Sequence, residues 1–493
     1  MKPADLANEM APAARPAQTS TSMPAAAHHH GLTRLARVAV LGASDLGALV
    51  FSGLAAYLLW ALPIKEQPIA IYVGLAPLLS LFLLGYAQAG LYPGFGLGPV
   101  ETLRRLSYVT AFGFLVMAAF SFALKLDPLY SRVTFAIAFA LSLGAVPISR
   151  ALVSAVADRW HWWNEPVVVV GTGDRAARVI RSIQQAGHLG YRPVAVLASG
   201  PRAMSADVEG VPVCGGLDDA GALAARGINV ALVETDHRLD MAIVDRLQRS
   251  FHRVVLLREY DDLPVEGIQI RNLGGLVGIE YTNNLLLHGN RVVKRALDVA
   301  IGSLLIVLTA PVLGVALVLV KLLDGGPAFF MQRRSGLDGH LFDVPKIRTM
   351  RVDAEARLKE HLSEDPMLRE EWDATYKLKR DPRLIPLVGR LFRRFSVDEL
   401  PQLWTVVQGR MSLVGPRPFP DYHLAQFPPA FLELRQRVRP GLTGLWQITV
   451  RSEGGIEKQQ AYDTYYIRNW SVWLDIYVLS RTIAAVASGR GAY

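Results

Sequence analysis

The sequence predicts a membrane protein that combines transmembrane α-helices with cytoplasmic α/β structure. Of its 493 residues, 51% are hydrophobic and only 19% are charged, whereas soluble domains are roughly 25% charged. Several apolar stretches approach the roughly 20 residues that a spanning helix needs, and a later segment alternates short apolar runs with amphipathic stretches. We therefore expect a four-helix transmembrane bundle, a Rossmann-like cytoplasmic domain, and a C-terminal domain with a re-entrant membrane hairpin.

Residues 1–31 are rich in Ala, Pro, Ser and Thr and are expected to form a disordered tail. The histidines His28, His29 and His30 in this tail are a poor metal site, since protein metal cages are closed and ordered. A single cysteine, Cys214, excludes an internal disulfide.

Residues 32–155 are predicted to form four transmembrane helices, because four apolar stretches there are each near the length of a membrane span. Basic residues are more frequent in alternate connections, which places both ends of this region in the cytoplasm. Asp45 lies inside the first stretch. An acid in a membrane is a functional candidate, but its position near the helix start favours a hydrogen bond between packed helices. The stretches are 38–62, 69–92, 106–124 and 133–153.

Residues 160–265 are predicted to form a small doubly wound α/β domain. The apolar run 166–170 is typical of a buried strand, and a GxGxxA pattern follows it at 171–176. An NAD-binding domain needs an acid about 20 residues further on, where this chain has the apolar run 194–198. The pattern favours a structural or regulatory domain over its alternative, a nucleotide-sugar oxidoreductase or epimerase.

A linker is expected over 266–290, followed by a basic domain over 291–493. That domain has 29 basic and 21 acidic residues, so it carries eight of the nine excess positive charges and expects an anionic partner such as phosphate, acidic lipid or nucleic acid. Its apolar segment at about 297–322 has bases at both ends and Pro311 in the middle. We predict a re-entrant helix that bends at Pro311 and returns to the same membrane face; a plain fifth span is the alternative.

Six motifs in the basic domain resemble, in order and spacing, those of the bacterial sugar transferase family. Members of this family are polyprenyl-phosphate hexose-1-phosphate transferases, and the four spans with the Rossmann-like domain resemble its long polytopic subgroup. The motifs are Lys346–Met350, Arg380–Arg383, Arg393–Leu403, Met411–Pro418, Pro440–Gln447 and Tyr466–Trp470.

The resemblance implies a phosphoglycosyl transferase that catalyses the first membrane step of exopolysaccharide, capsule or O-antigen (lipopolysaccharide) synthesis. A UDP-hexose would donate hexose-1-phosphate to undecaprenyl phosphate and release UMP, with Mg²⁺ as cofactor and without a nucleic-acid partner. The insert 352–379 and the end 491–493 resemble galactose-1-phosphate members, with UDP-glucose as the alternative donor. A homodimer in the bacterial inner membrane is also implied, with its catalytic domain on the cytoplasmic face.

The resemblance assigns Asp398 as the nucleophile that forms a covalent aspartyl phospho-sugar intermediate, and Glu399 as its metal-side partner. Both are thus candidate Mg²⁺ ligands. A non-catalytic membrane scaffold for glycan assembly is the more distant alternative. Ser396 and Glu399 also have the spacing of a capping box, and Pro401 is tolerated near a helix start. The two carboxylates are therefore predicted in a first helical turn, where the helix dipole favours anions.

A carboxylate that attacks a diphosphate faces like-charge repulsion, which metal ions and basic side chains reduce. Asp463 and Asp475 are equally compatible with structural roles. The candidate phosphate- or nucleotide-binding residues are Lys346, Arg348, Arg393, Arg417, Arg451, Asp463 and Asp475.

The segment 384–395 is apolar with interspersed bases and is predicted to be an interfacial helix on the membrane; a core helix is the alternative. The chain departs from the family pattern at Arg410, Val450 and Ala310, where members commonly have Asp, Gly and Ser. These departures leave the two adjacent carboxylates unchanged.

Overall fold

The chain divides into two compact units, Met1–Tyr260 and Asp261–Tyr493. The predicted tail, residues 1–31, lies almost wholly outside the part of the chain that the structure describes. The computed structural model describes residues 30–123, 130–157, 159–160, 162–171, 173–185, 187–198, 207–234, 241–257, 268–273, 276–281, 284–364, 369, 378, 381–449 and 455–488.

The first unit begins with four apolar helices that are long enough to cross a membrane. They are Thr33–Lys65, Ile69–Gln88, Pro99–Ala123 and Arg132–Ala157. Large apolar side chains on them point outward, as Phe112 (67% exposed) and Phe122 (74% exposed) do. Such exposure is unfavourable in water and is the expected surface toward lipid. The backbone hydrogen bonds divide the first two of these helices into shorter segments. The first helix consists of His30–Ala56, a π-helical turn Tyr57–Ala61 and Leu62–Lys65. The second helix consists of Ile69–Val73, Ala76–Leu78 and Leu79–Gln88.

A buried ion pair joins the first and fourth of these helices. Arg150 donates from Nε to Asp45 Oδ1 at 2.9 Å and from Nη2 to Asp45 Oδ2 at 2.6 Å. Tyr92, between the second and third helices, donates to Asp45 Oδ2 at 2.5 Å. A buried carboxylate is costly unless it is paired and hydrogen-bonded, as this one is. The expectation that Asp45 serves helix packing is confirmed.

The residues after the fourth helix form an α/β domain around a six-stranded sheet, as predicted. The strands are β1 Glu165–Val170, β2 Tyr191–Ala198, β3 Asp207–Val208, β4 Val211–Gly216, β5 Val230–Glu234 and β6 Arg253–Leu257. Their order in the sheet is β3-β4-β2-β1-β5-β6, and all neighbouring strands are parallel except β3 and β4. The described helices between them are Asp174–Gln185, Ala220–Ala225 and Met241–Gln248.

In this chain an acidic residue, Glu234, lies next to the glycine turn where a Rossmann domain binds phosphates. Gly171 follows β1 with φ 135°, a region that favours glycine. The Oε2 atom of Glu234 lies 2.8 Å from where a Cβ on residue 171 would be, and Glu234 is 3.7 Å from Arg175. A carboxylate in this place repels the phosphates of a dinucleotide, which favours the structural or regulatory interpretation of the domain.

Part of the predicted linker 266–290 is folded, because Ile268–Leu273 (β7) and Leu276–Tyr281 (β8) form an antiparallel hairpin. The second unit also contains an antiparallel hairpin of β9 Phe329–Ser335 and β10 Leu341–Ile347, and a parallel pair of β11 Ser412–Val414 and β12 Gly441–Thr443. Its described helices after residue 325 are Ala354–Glu364, Val388–Arg394, Gln402–Gln408, Asp421–Leu424, Pro429–Gln436, Leu445–Thr449, Ile456–Arg468 and Val472–Ser488.

One long helix, His288–Asp324, contains the whole predicted re-entrant segment. Pro311 lies inside this helix and does not end it. The central side chains are apolar and outward-facing, with Val307 71% and Leu308 63% exposed, and the helix is the fifth that is long and apolar enough to cross a membrane. The return of the helix to one membrane face stays a prediction.

Both ends of that helix are bound to the same unit. Near its start, Asp298 accepts hydrogen bonds from Ser412 Oγ at 2.8 Å and from Leu413 N at 3.0 Å. At its end, Asp324 forms an ion pair with Arg348. The stretch between these anchors contains the outward-facing apolar side chains Val307 and Leu308.

The predicted interfacial segment forms a short helix, Val388–Arg394, with two different faces. Val388 and Phe392 are buried against the long helix, whereas Leu387 is 91% and Leu391 51% exposed. One face is thus packed as in a core helix, which was the alternative prediction. The other face has the exposed apolar residues of an interfacial helix.

Candidate active site

The two carboxylates of the motif lie in a single 3₁₀ turn, Val397–Glu399. Pro401 follows at the N-cap of helix Gln402–Gln408, so the helix start was predicted to within a few residues. The predicted capping box is wrong. Ser396 has a left-handed backbone (φ 54°) and makes no capping hydrogen bond through its side chain, since such a bond requires an extended cap residue.

Two cations hold Glu399 by one oxygen. Glu399 Oε1 accepts hydrogen bonds from Lys346 Nζ at 2.9 Å and from Arg417 Nη2 at 3.0 Å. Burial alone would raise the pKa of Glu399, but the charges of Arg417 and Lys346 outweigh it and lower the pKa to about 2. Glu399 is therefore anionic at neutral pH and gathers two cations beside Asp398.

The adjacent Asp398 has the opposite electrostatic environment. Burial, followed by the negative charge of Glu399, raises the pKa of Asp398 to about 6, against the opposing charges of Lys346 and Arg393. Within the described part of the chain, no other side chain donates a hydrogen bond to its carboxylate. The two adjacent carboxylates thus differ in pKa and in hydrogen bonding, as adjacent carboxylates with separate chemical roles do.

The donor set fits Mg²⁺ better than a structural metal. Among the described residues, no group of three or more His, Cys, Asp or Glu side chains could hold a metal ion. Mg²⁺ usually binds through one or two carboxylates, with substrate phosphates and water completing its coordination. Asp398 and Glu399 meet that requirement, whereas a structural zinc site needs four protein ligands.

Two further predicted cations have different surroundings. Arg393 Nε donates to Thr349 Oγ1 at 3.0 Å, and burial lowers the pKa of Arg393 although the charge of Asp398 opposes this. Arg393 therefore lies close enough to Asp398 for their charges to interact. Arg348 is only 8% exposed and pairs with Asp324, so its contacts anchor the long helix.

Both aspartates predicted for substrate binding are buried and paired with protein groups. Asp463 Oδ2 lies 3.4 Å from Arg435 Nε. Asp475 accepts hydrogen bonds from Lys294 Nζ and from Tyr466 Oη, both at 2.7 Å. These contacts correspond to the structural alternative for the two residues.

Several predicted features lie outside the described residues. Arg451 is the one candidate binding residue among them. The others are Val450, most of the insert after Glu364, and the chain end 491–493.

Sequence reasoning missed Arg334 as a cation of the site. In the β9–β10 hairpin Arg334 pairs with Phe342 and Lys346 pairs with Phe330, so strand alternation places Arg334 and Lys346 on one face. Burial lowers the pKa of Arg334, and Arg417 and Glu399 are among the charges that act on it. The basic pair before Gly336, read with hairpin alternation, is the signal that could have found it.

Comparison with known proteins finds two matching family models and several similar proteins. The family model for bacterial sugar transferases matches residues 289–489, and a model for a CoA-binding domain matches residues 90–230. The UDP-galactose-lipid carrier transferase of Erwinia amylovora is 32% identical over 368 residues, which are 74% of this chain and 76% of the relative. The undecaprenyl-phosphate galactose phosphotransferase of Salmonella typhimurium is 30% identical over 370 residues, 74% and 77% of the two chains.

A third relative, the UDP-glucose:undecaprenyl-phosphate glucose-1-phosphate transferase of Escherichia coli, is 31% identical over 345 residues, 68% and 70% of the two chains. Apolar helices, an α/β domain and a basic site with two carboxylates define a membrane-associated transferase. The chain belongs to the bacterial sugar transferase family, as its motifs indicated, and the prediction that it is an enzyme is confirmed.

Proposed function

We propose that the protein transfers hexose-1-phosphate from a UDP-hexose to undecaprenyl phosphate and releases UMP. The reaction would begin the synthesis of exopolysaccharide, capsule or O-antigen. The observation that carries this proposal is the contrast between Asp398, whose carboxylate receives no side-chain hydrogen bond from the described residues, and Glu399, which binds two cations. Relatives named for galactose, glucose and an undecaprenyl-phosphate or lipid carrier support the same donor and acceptor classes.

The basic side chains beside Asp398 suit a diphosphate. Lys346 and Arg417 already bind one carboxylate oxygen of Glu399, and the planar fork of an arginine matches phosphate oxygens in the same way. Arg393 adds a third positive charge next to Asp398. Together they reduce the repulsion between an anionic nucleophile and an anionic donor.

In the first displacement, an oxygen of Asp398 attacks the phosphorus that bears the sugar. A new oxygen–phosphorus bond forms on Asp398 as the bond from that phosphorus to the bridging oxygen of UMP breaks, and UMP leaves with the electron pair. Asp398 needs no base to activate it, because its carboxyl is ionised above its pKa of about 6. Asp398 and Glu399 would hold Mg²⁺, which would supply positive charge to the phosphate oxygens of the donor.

In the second displacement, a phosphate oxygen of undecaprenyl phosphate attacks the aspartyl phospho-sugar. The bond between Asp398 and phosphorus breaks, its electron pair returns to the carboxylate, and the sugar is left on a lipid diphosphate. Two displacements allow the soluble donor product to leave before the lipid acceptor enters. Lys346 and Arg417 neutralise charge in both steps.

We further propose that helix His288–Asp324 is re-entrant and that the catalytic domain lies on the cytoplasmic face of the inner membrane. A straight helix from Asp298 to Asp324 would be about 39 Å long, which exceeds the roughly 30 Å hydrocarbon core. Both of these residues are nevertheless bound to one folded unit. A bend at Pro311 would allow both anchors to stay on one side.

Galactose is the proposed hexose, and glucose is the alternative. A panel of UDP-galactose, UDP-glucose and UDP-N-acetylglucosamine tests this with full-length protein in nanodiscs, undecaprenyl phosphate and Mg²⁺. UMP should be released fastest from UDP-galactose. Release of UMP from UDP-glucose alone would show that the transferred hexose is glucose. Absence of UMP with every donor would contradict the reaction and favour the scaffold. Light scattering of the same preparation tests the proposed homodimer.

A further inference from the structure

Arg417, one of the two cations on Glu399, is itself held through its backbone. The carbonyl oxygen of Arg417 accepts a hydrogen bond from Arg435 Nη2. The guanidinium of Arg435 also lies over the ring of Phe419, 4.7 Å from its centroid. One side chain thus contacts this loop at the residue that reaches the site and again two residues later.

The contact from Arg435 begins where strand pairing ends. Gly441 N donates to Pro416 O at 2.9 Å, which is the last backbone hydrogen bond between the two neighbouring segments before Arg417. The next carbonyl, that of Arg417, receives its donor from the Arg435 side chain. The Arg435 side chain therefore supplies the hydrogen bond that a neighbouring strand would otherwise donate to the carbonyl of Arg417.

Arg435 has one buried counter-ion. Arg435 lies on helix Pro429–Gln436 and is 8% exposed, and Asp463 lies on helix Ile456–Arg468 and is 4% exposed. Their atoms Nε and Oδ2 are 3.4 Å apart. Burial acts against both charges, lowering the pKa of Arg435 and raising that of Asp463 to about 6, and each charge opposes the shift of the other. Removing either partner leaves a buried charge uncompensated.

We propose that Arg435 is a positioning residue for the transferase reaction, fixing the backbone of Arg417 so that its guanidinium meets Glu399 and the donor phosphates. Asp463 holds Arg435 in that arrangement. The inference rests on the proposed function, because it concerns the same site. In this assignment both Arg435 and Asp463 act through Arg417.

Steady-state UMP release by the full-length protein in nanodiscs tests this assignment. In Arg435→Met and Asp463→Asn, kcat/KM should fall by about 10- to 100-fold with a higher KM for the donor, since a displacement of about 1 Å at a site is costly. Arg435→Lys keeps the charge without the fork and should recover part of the loss. Lower apparent kcat with unchanged KM would indicate only less folded enzyme and would overturn the proposal.

Coupling to Arg417 provides the second criterion. In an Arg417→Lys background, Arg435→Met should change kcat/KM by less than about twofold, because residues that act through one another are not additive. The matched control is Arg437→Met. Arg437 lies at the end of the same helix, is 52% exposed, and pairs with Glu433 at 2.6 Å, so its replacement should leave KM and kcat at the wild-type values.

Hydrogen exchange separates failure of this inference from failure of the proposed function. In Arg435→Met, amides of residues 417–424 should exchange about tenfold faster, while those of helix Gln402–Gln408 keep the wild-type rate. If the wild type releases UMP and the variant matches it in KM, kcat or loop exchange, the positioning role is wrong. If the wild type releases no UMP from any donor, the proposed function fails and the positioning role with it, even where the loop exchanges faster.

Discussion

Lys346 Nζ lies 2.9 Å from Glu399 Oε1, joining two residues that are 53 positions apart in the chain. This contact places a cation next to Asp398, whose own carboxylate receives no side-chain hydrogen bond among the described residues. The adjacent carboxylates are therefore unequal before any substrate binds. Glu399 binds the cations, and the proposed function assigns the attack on the donor to Asp398.

Lys346→Met should weaken the fold at neutral pH by about 1.5–3 kcal/mol, the usual contribution of a hydrogen bond to a charged group. Because the pKa of Glu399 is lowered to about 2, its stabilising contribution is present above about pH 4.5 and is lost as the pH falls toward 2. Denaturation at about pH 7 and about pH 3 measures this, and the difference between wild type and variant should shrink at the lower pH.

Glu399→Gln supplies the control for that experiment. In a Glu399→Gln background, residue 399 carries no negative charge for Lys346 to balance. Adding Lys346→Met should therefore lower the stability much less than it does alone. An equal loss in both backgrounds would show that Lys346 stabilises the fold by another route.

Asp398→Asn should lower UMP release by about a thousandfold or more, as loss of a nucleophile does elsewhere. Donor labelled in its sugar phosphate should leave a covalent adduct on the wild type and none on the variant. Asp353→Asn is the matched control, since Asp353 is an exposed carboxylate paired with Arg357 at 2.8 Å. Wild-type turnover by Asp398→Asn would remove the nucleophile assignment.

The same variant should be at least as stable as the wild type. The pKa of Asp398 is raised from 3.8 to about 6, so the folded state binds its proton more tightly than the unfolded chain does. Stability from this group therefore falls as the pH rises from about 4 to about 6. A neutral amide removes that dependence, and thermal unfolding at neutral pH should give an equal or higher Tm. A clearly lower Tm for Asp398→Asn would contradict the claim that the surroundings of the Asp398 carboxylate disfavour its charge.

Mg²⁺ should bind together with the donor. Two carboxylates, one already held by Lys346 and Arg417, form a weak site without phosphates, because Mg²⁺ dehydrates reluctantly. We expect EDTA to abolish UMP release and added Mg²⁺ to restore it. In thermal-shift measurements Mg²⁺ should raise Tm with UDP-sugar present and change it little alone. A large shift with the ion alone would indicate a preformed metal site.

The re-entrant course predicts which positions are reachable from outside intact cells. In a Cys214→Ser background, a cysteine at the exposed position His340 should resist an impermeant thiol reagent until the cells are permeabilised. Lys65→Cys, at the end of the first apolar helix, should react without permeabilisation. Labelling of the His340→Cys protein from outside would show that helix His288–Asp324 crosses the membrane.

Features with a strong local signal could be predicted from the sequence. Long apolar stretches predicted four helices with bounds that differ from the observed ones by up to seven residues, and the motif 393–403 located the two carboxylates. Asp45 could be assigned to helix packing because an acid near a helix start has polar neighbours within reach. Such features depend on residues close together in the chain.

Features that depend on long-range contacts could not be predicted. The spacing of Ser396 and Glu399 suggests a capping box, but cations from distant segments bind Glu399 and the backbone of Ser396 is left-handed. Asp463 has a site-like position in the sequence, yet its partner is Arg435 on another helix. The contact from Arg435 to Arg417 ends on a backbone carbonyl, which no side-chain pattern encodes.

The ion pair between Asp45 and Arg150 sets an order of assembly. Its members are 105 residues apart, so the ribosome completes the first helix well before the arginine exists. An aspartate in an inserting helix costs free energy, about 2.5–3.5 kcal/mol when it lies at the helix centre. A nascent chain that ends before Arg150 lacks the basic partner of Asp45, so the ion pair between the first and fourth helices forms only after both have been synthesised.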